Sequence, residues 1–93
     1  MSDQTYTSPF TLLEDDVKLV EEKQLIVYND DYHTFDYVID ALVKICKHEQ
    51  IQAEQCTLII HFKGKCAVKS GDFYTLRPMF DALCDKGLTA SIE

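Results

Sequence analysis

The sequence has no hydrophobic run that approaches the roughly 20 residues needed to cross a bilayer. Its start, Met1 to Phe10, has neither the basic residues nor the apolar stretch of a secretory signal. We therefore expect a cytoplasmic protein without a membrane partner. The chain also has few basic side chains, since 9 Lys and Arg face 16 Asp and Glu and the net charge is −7. Nucleic-acid binding needs cationic clusters that neutralise phosphates, so no nucleic-acid partner is expected.

The four cysteines, Cys46, Cys56, Cys66 and Cys84, include no C-x-x-C pair and are widely spaced. That spacing does not fit a structural zinc site, which needs closely spaced pairs of ligands. In a reducing compartment, free thiols behave as small hydrophobic side chains. We therefore expect reduced, buried cysteines and no metal or other cofactor.

The composition fits one small globular domain, because 46% of the 93 residues are apolar and 27% are charged. A domain of this length buries only about 60 to 65% of its unfolded surface, which leaves little room for an enclosed active site. Half of the acidic residues precede Tyr32. We interpret residues 1–22 as a flexible acidic N-terminal extension and residues 23–93 as the core domain.

Hydrophobic spacing in the core domain alternates between strand and helix patterns. An apolar run that ends at Tyr28 predicts a buried strand, whereas Phe35, Val38 and Leu42 have the spacing of a helix with one buried face. Gly64 predicts the end of a second helix. The predicted strands are 25–28, 65–69 and 88–92, and the predicted helices are 34–47, 51–62 and 72–85. This order, β-α-α-β-α-β, predicts an α+β sandwich.

The most informative motif is the triplet Asn29-Asp30-Asp31, which lies between the first strand and the first helix. Asn and Asp are common in such turns because their side chains bond to nearby backbone amides, so local capping can account for the triplet. Together with His61, however, these side chains could bind a small cation such as a free α-amino group. Catalysis would need a nucleophile that is not placed here, and the ligands are too few for a closed metal site. We therefore do not expect an enzyme.

The predicted second helix can bring His61 close to the triplet. Ala53, Thr57 and His61 are spaced four residues apart and therefore share one face of that helix. If this face lies against the start of the first helix, near Phe35 and Val38, a small apolar pocket forms. The triplet and His61 would then lie at its mouth.

Several motifs of the chain together resemble a known family, the ClpS adaptors of Clp proteases. They are the run Val27-Tyr28-Asn29-Asp30-Asp31-Tyr32, then Tyr37-Val38, then His61 and Gly64-Lys65. The separation between Asn29 and His61 matches that of the family without a gap. The resemblance covers about residues 23–93 and implies a three-stranded antiparallel sheet covered by three helices, similar to the C-terminal domain of the ribosomal stalk.

The resemblance also implies a function. Family members bind the free hydrophobic N-terminal residue of a substrate protein, an N-degron, and deliver that protein to a Clp-family AAA+ unfoldase for degradation. By position, Asn29, Asp30, Asp31 and His61 match the residues that bind the peptide α-amine. The positions that match the wall of the side-chain pocket are Phe35, Val38, Thr57, Ile60 and Leu88.

Two departures from the family pattern lie near this pocket. The residues His33-Thr34-Phe35 replace Thr-Pro-Met, and Thr57 replaces a methionine that gates the pocket. The smaller Thr57 is expected to admit β-branched N-terminal residues more readily. The alternative function is a diverged protein–protein interaction domain of the same fold, in which the triplet only caps a turn and no N-degron is bound.

Overall fold

The computed structural model describes residues 21–93, so the predicted acidic extension over residues 1–22 lies outside the described residues except for its last two positions. The boundaries agree with the sequence prediction to within two residues, and the predicted order of strands and helices is confirmed. The elements are β1 (Lys23–Tyr28), α1 (Phe35–Cys46), α2 (Gln50–Lys63), β2 (Lys65–Gly71), α3 (Phe73–Asp85) and β3 (Ala90–Ile92).

The sheet has the strand order β2-β1-β3, and β1 is antiparallel to both of its neighbours. Because β1 is central, its residues Leu25, Ile26 and Val27 are all buried. Leu42, Ala53 and Leu76 are fully buried and bring the three helices into the same core cluster as β1. The fold is therefore the expected α+β arrangement, and the loop that follows the central strand carries the triplet.

Polar side chains and left-handed residues define where the helices begin and end. Thr34 caps α1 by accepting a hydrogen bond from the Tyr37 amide at 3.1 Å, and Asp72 caps α3. Gly64 ends α2 with φ of 95°, as predicted from the sequence. Lys47 ends α1 with φ of 62°, a conformation that costs free energy for any residue with a Cβ.

An irregularity in the pairing of β1 with β2 explains a buried histidine. Leu25 pairs with Lys69 while Ile26 pairs with Ala67, which makes Val68 an extra residue on β2. The Val68 carbonyl accepts a hydrogen bond from Nε2 of buried His48, with an N–O distance of 2.6 Å. His48 thus provides the partner for a backbone group at the bulge.

The four cysteines are free thiols and differ in burial. Cys46 is buried as expected, but Cys84 is exposed, so burial is not common to all four. Burial raises the pKa of the Cys46 thiol to about 11. Within residues 21–93, none of the helices has the length and apolar character needed to span a membrane.

Candidate functional site

The loop after β1 lies beside the end of α2 because the two are joined through the backbone. We call residues 29–34 the rim loop. The Asn29 amide donates a hydrogen bond to the Gly64 carbonyl at 2.9 Å. Because Gly64 directly follows α2, this bond brings the first residue of the rim loop near His61 in the last turn of that helix.

A pocket of about 300 Å³ lies between the rim loop, the start of α1 and the end of α2. This volume is at the lower end of the range of about 300 to 1,000 Å³ that is typical of small-ligand sites. The lining residues are Tyr28, Asn29, Asp30, Asp31, His33, Thr34, Phe35, Val38, Thr57, Ile60 and His61.

The mouth of the pocket is polar. Asn29, Asp31 and His61 are exposed, so their side chains are open to solvent and to a ligand. The His61 ring makes edge-to-face contacts with Phe35 and Phe62, with ring centroids 5.2 Å and 4.9 Å apart. These two contacts limit the orientations available to the imidazole.

The inner wall of the pocket is nearly free of unsatisfied polar groups. Val38, Thr57 and Ile60 are 8%, 2% and 4% exposed. The Thr57 hydroxyl donates to the Ala53 carbonyl at 2.8 Å, so its one donor is satisfied within α2. An apolar side chain that enters the pocket therefore meets an apolar surface.

Asp30 is engaged within the rim loop rather than open at the mouth. Its Oδ1 accepts from the amides of Tyr32 and His33 at 2.8 and 2.9 Å, and its Oδ2 lies 2.9 Å from Nδ1 of His33. Partial burial alone would raise the Asp30 pKa, but the hydrogen bonds from His33 and Tyr32 outweigh it and lower the pKa. Asp30 thus organises the turn, as the capping interpretation of the triplet predicts.

The structure brings the predicted site residues together with one exception. Leu88 does not line this pocket, because it follows α3, bonds through its amide to the Leu83 carbonyl at 3.1 Å, and is buried in the core. Its assignment to the pocket came from the family resemblance, and a position in a family pattern does not by itself distinguish a pocket wall from a core.

Sequence reasoning missed three lining residues, Tyr28, His33 and Thr34. All three adjoin the triplet in sequence. The spacing of Asp30 and His33, three residues apart, could have indicated their contact. Among residues 21–93, no group of three or more His, Cys, Asp or Glu side chains is placed to hold a metal ion.

The fold and this pocket define a small α+β domain with a polar-rimmed apolar site between two helices. The profile of the family described as "ATP-dependent Clp protease adaptor protein ClpS" matches residues 18–91. The chain therefore belongs to the ClpS family. The resemblance noted in the sequence is confirmed.

Curated relatives named "ATP-dependent Clp protease adapter protein ClpS" are similar over part of the chain. The relative from Nitratidesulfovibrio vulgaris (strain DP4) is 36% identical over 59 residues, which cover 61% of this chain and 57% of the relative. The relative from Nautilia profundicola is 35% identical over 60 residues, with 62% of each chain covered. The chain thus spans between about half and two thirds of the length of the curated relatives it matches.

A solved structure has the same fold. It is the structure of Agrobacterium tumefaciens ClpS2 bound to L-phenylalaninamide, with a TM-score of 0.67. The match covers 78% of this chain and 95% of that one, at 16% sequence identity. At this identity, the similarity supports the three-helix, three-strand architecture and not the details of the site.

Proposed function

We propose that this chain is an adaptor that binds the free hydrophobic N-terminal residue of substrate proteins and delivers them to a Clp-family AAA+ unfoldase in the cytoplasm. It would perform no chemical step of its own. The observation that carries the proposal is the position of an open polar rim directly above an apolar pocket. A peptide N-terminus has the same two parts, an ammonium group and a side chain on one carbon.

The rim suits the ammonium group. An ammonium group donates three hydrogen bonds, and Asn29, Asp31 and His61 offer a carbonyl oxygen, a carboxylate and a ring nitrogen as acceptors. All three side chains are exposed at the mouth of the pocket, so none has to leave the core to bind. Asp30 would contribute mainly by shaping the rim loop, because three donors already lie within hydrogen-bonding distance of its carboxylate.

The pocket suits the side chain. Val38, Thr57 and Ile60 provide a buried apolar wall, and Phe35 adds an aromatic ring at the opening. Agrobacterium tumefaciens ClpS2 binds L-phenylalaninamide, which has a free α-amine and a phenyl side chain. A ligand of that chemistry would place its amine at the rim and its ring against the wall.

The free energies of the expected contacts are compatible with micromolar affinity. Burial of a Phe or Leu side chain contributes about 1.5 to 3 kcal/mol. Two or three charge-assisted hydrogen bonds contribute about 1.5 to 3 kcal/mol each. The losses of translational, rotational and side-chain freedom must be subtracted from this sum. Micromolar binding corresponds to about 8 kcal/mol, so it requires a preformed site with all of its amine contacts.

Calorimetric titration with a short peptide that begins with Phe tests the proposal, with the N-acetylated peptide as its twin. We expect binding of the free amine and a loss of at least about tenfold on acetylation, because acetylation removes the charge and two donors. Asn29→Ala should weaken binding similarly. Lys44→Ala, an exposed change on α1 outside the pocket, is the matched control. Equal affinity for both peptides, or binding of neither, refutes the proposal.

Delivery needs its own experiment. A reporter protein with an N-terminal Phe should be degraded faster by a Clp unfoldase–protease when the adaptor is present. Asn29→Ala should remove that acceleration, and an N-terminal Ala reporter should not show it. Binding of the peptide without accelerated degradation would leave a module that recognises N-termini but does not deliver them.

A second candidate is a protein–protein interaction domain that does not bind N-degrons. The observation that favours it is the apolar outer surface of α2, where Ile51, Leu58 and Phe62 are 64%, 45% and 75% exposed. Exposed apolar patches are common at interaction sites. In that case Asn29→Ala would change stability but not partner binding, whereas changes at Phe62 would weaken it.

A further inference from the structure

His33 occupies a position where three parts of the fold meet. It lies in the rim loop and lines the pocket, and 22% of its side chain is exposed. In the sequence, His33 stands out only as a departure from the family pattern. Its surroundings show that the imidazole is held on several sides.

On the rim-loop side, Nδ1 of His33 lies 2.9 Å from Oδ2 of Asp30. With a carboxylate as partner, Nδ1 carries the proton and donates this bond. On the other side, the ring stacks on Tyr37 with centroids 4.8 Å apart and planes 21° from parallel. The Tyr37 hydroxyl donates to the Lys86 carbonyl at 2.7 Å, which fixes the second ring of the stack.

The edge of the imidazole lies against the turn between α3 and β3. A Cβ placed on Gly87 would come within 3.3 Å of Nε2 of His33. That distance is tighter than an ordinary van der Waals contact, so a Cβ at Gly87 would require the His33 ring to shift. The imidazole is therefore enclosed by the rim loop, α1 and this turn, and it connects the mouth of the pocket to the far end of α3.

Asp30 is the residue through which His33 reaches the backbone of the rim loop. Its Oδ1 accepts from the amides of Tyr32 and His33, and its Oδ2 is bonded to the His33 ring. One carboxylate therefore joins the rim-loop backbone to the imidazole. If the imidazole were absent, Oδ2 would lose its partner and the carboxylate could rotate. The backbone around Asn29 and Asp31 would then sample more conformations.

We propose that His33 is a positioning residue of the amine site: it holds Asp30, and through Asp30 it fixes the rim loop that presents Asn29 and Asp31. This inference rests on the proposed function. The role is indirect, because His33 acts through Asp30. Its contribution to affinity is preorganisation, since a loop that is already ordered loses less freedom when the ligand binds.

The test compares His33→Ala with His33→Asn and with the surface control Lys44→Ala. The Asn side chain places its amide nitrogen near the position of Nδ1 and can donate to Asp30, while Ala cannot. We expect His33→Ala to weaken binding of a Phe-initiated peptide by about tenfold. His33→Asn should recover most of that loss, and Lys44→Ala should bind like the unchanged chain.

Two further measurements separate positioning from a general loss of stability. Hydrogen exchange at the Tyr32 amide should accelerate several-fold in His33→Ala and return toward the original rate in His33→Asn. Exchange in β1 should stay unchanged in both variants. Nitrogen NMR of the unchanged chain should show a proton on Nδ1 of His33, where the hydrogen bond to Asp30 is made.

The outcomes distinguish this inference from the proposed function. If the unchanged chain binds no peptide, the proposed function is wrong, and so is a positioning role in an amine site. If the chain binds the free-amine peptide but His33→Ala binds equally well, only the role of His33 is refuted. Equal losses in His33→Ala and His33→Asn would also refute it, because the hydrogen bond to Asp30 would then be irrelevant.

Discussion

Phe35 and His61 are in edge-to-face contact, with ring centroids 5.2 Å apart and ring planes at 69°. Phe35 is the first residue of α1 and His61 lies in the last turn of α2. The contact therefore joins two helix ends across the mouth of the pocket. It places a polar imidazole next to an apolar ring.

His61→Ala should affect binding far more than folding. The change removes one proposed acceptor for the ammonium group and the ring contact with Phe35, so we expect a loss of at least about tenfold in affinity for a Phe-initiated peptide. His61 is exposed, so the free energy of unfolding should change by less than about 0.5 kcal/mol. Titration calorimetry and urea denaturation measure the two effects. A variant that binds as before would show that His61 does not contact the amine.

Thr57→Met tests the size of the pocket. Thr57 lies on the wall and is 2% exposed, so a longer side chain must occupy pocket volume. We expect peptides that begin with Ile or Val to lose more affinity than peptides that begin with Leu, because β-branched side chains are widest near the backbone. Thr57→Val, which keeps the volume, is the control and should preserve the original preference. An unchanged ranking in Thr57→Met would contradict this account.

Substitutions at Lys47 and at Gly64 are expected to change the free energy of unfolding in opposite directions. Lys47 has φ of 62° and Gly64 has φ of 95°, both in the region that favours glycine. Lys47→Gly should raise the free energy of unfolding by about 0.5 to 1 kcal/mol, because relief of strain exceeds the added freedom of the unfolded chain. Gly64→Ala should lower it by about 1 kcal/mol. A Cβ on Gly64 meets nothing within 4 Å, so the loss would come from the backbone alone.

Denaturant titration of these two variants and the unchanged chain measures both effects under the same conditions. The slopes with denaturant should be equal, which would show that the unfolded state is unaltered in compactness. A destabilised Lys47→Gly variant would mean that the Lys47 side chain stabilises the fold by more than its left-handed backbone conformation costs.

The stability of the fold should fall at acidic pH partly through Asp30. Hydrogen bonds from His33 and Tyr32 outweigh the opposing effect of burial and lower the Asp30 pKa below its ordinary 3.8. The ionised carboxylate therefore stabilises the folded state. That contribution is complete above the unfolded pKa and is lost as the pH falls through the lower, folded pKa.

The Asp30→Asn variant has no carboxyl group to titrate at this position, so it is the control for the pH dependence of stability. The unchanged chain should be more stable than the variant at neutral pH, and the difference should shrink as the pH falls below about 4. Thermal unfolding between neutral and acidic pH measures it. If the difference in stability between the unchanged chain and the variant does not change with pH, Asp30 is not stabilised in its charged form.

Local signals in the sequence predicted the elements and most of the pocket. Thr34, Asp72 and Gly64 define helix ends through bonds and dihedral angles that depend on neighbouring residues alone, so their positions follow from the sequence. Thr57 and His61 share one face of α2 because they are four residues apart, so this part of the pocket also follows from local spacing. These features need no knowledge of distant contacts.

Features that depend on contacts between distant elements were not predicted. The bulge at Val68 exists because of how β2 pairs with β1, and the sequence pattern does not reveal it. His48 and Leu88 are buried by elements that lie far from them along the chain. The stack of His33 on Tyr37 depends on the same kind of packing, which explains why His33 was overlooked.

The contact between His61 and Phe62 makes the site accessible to optical measurement. The chain contains no tryptophan, so one introduced indole would be its sole tryptophan fluorophore. Phe62 is 75% exposed and its ring lies 4.9 Å from that of His61. Phe62→Trp would therefore place a fluorescent reporter beside the mouth of the pocket, where its emission would respond to the arrival of a ligand.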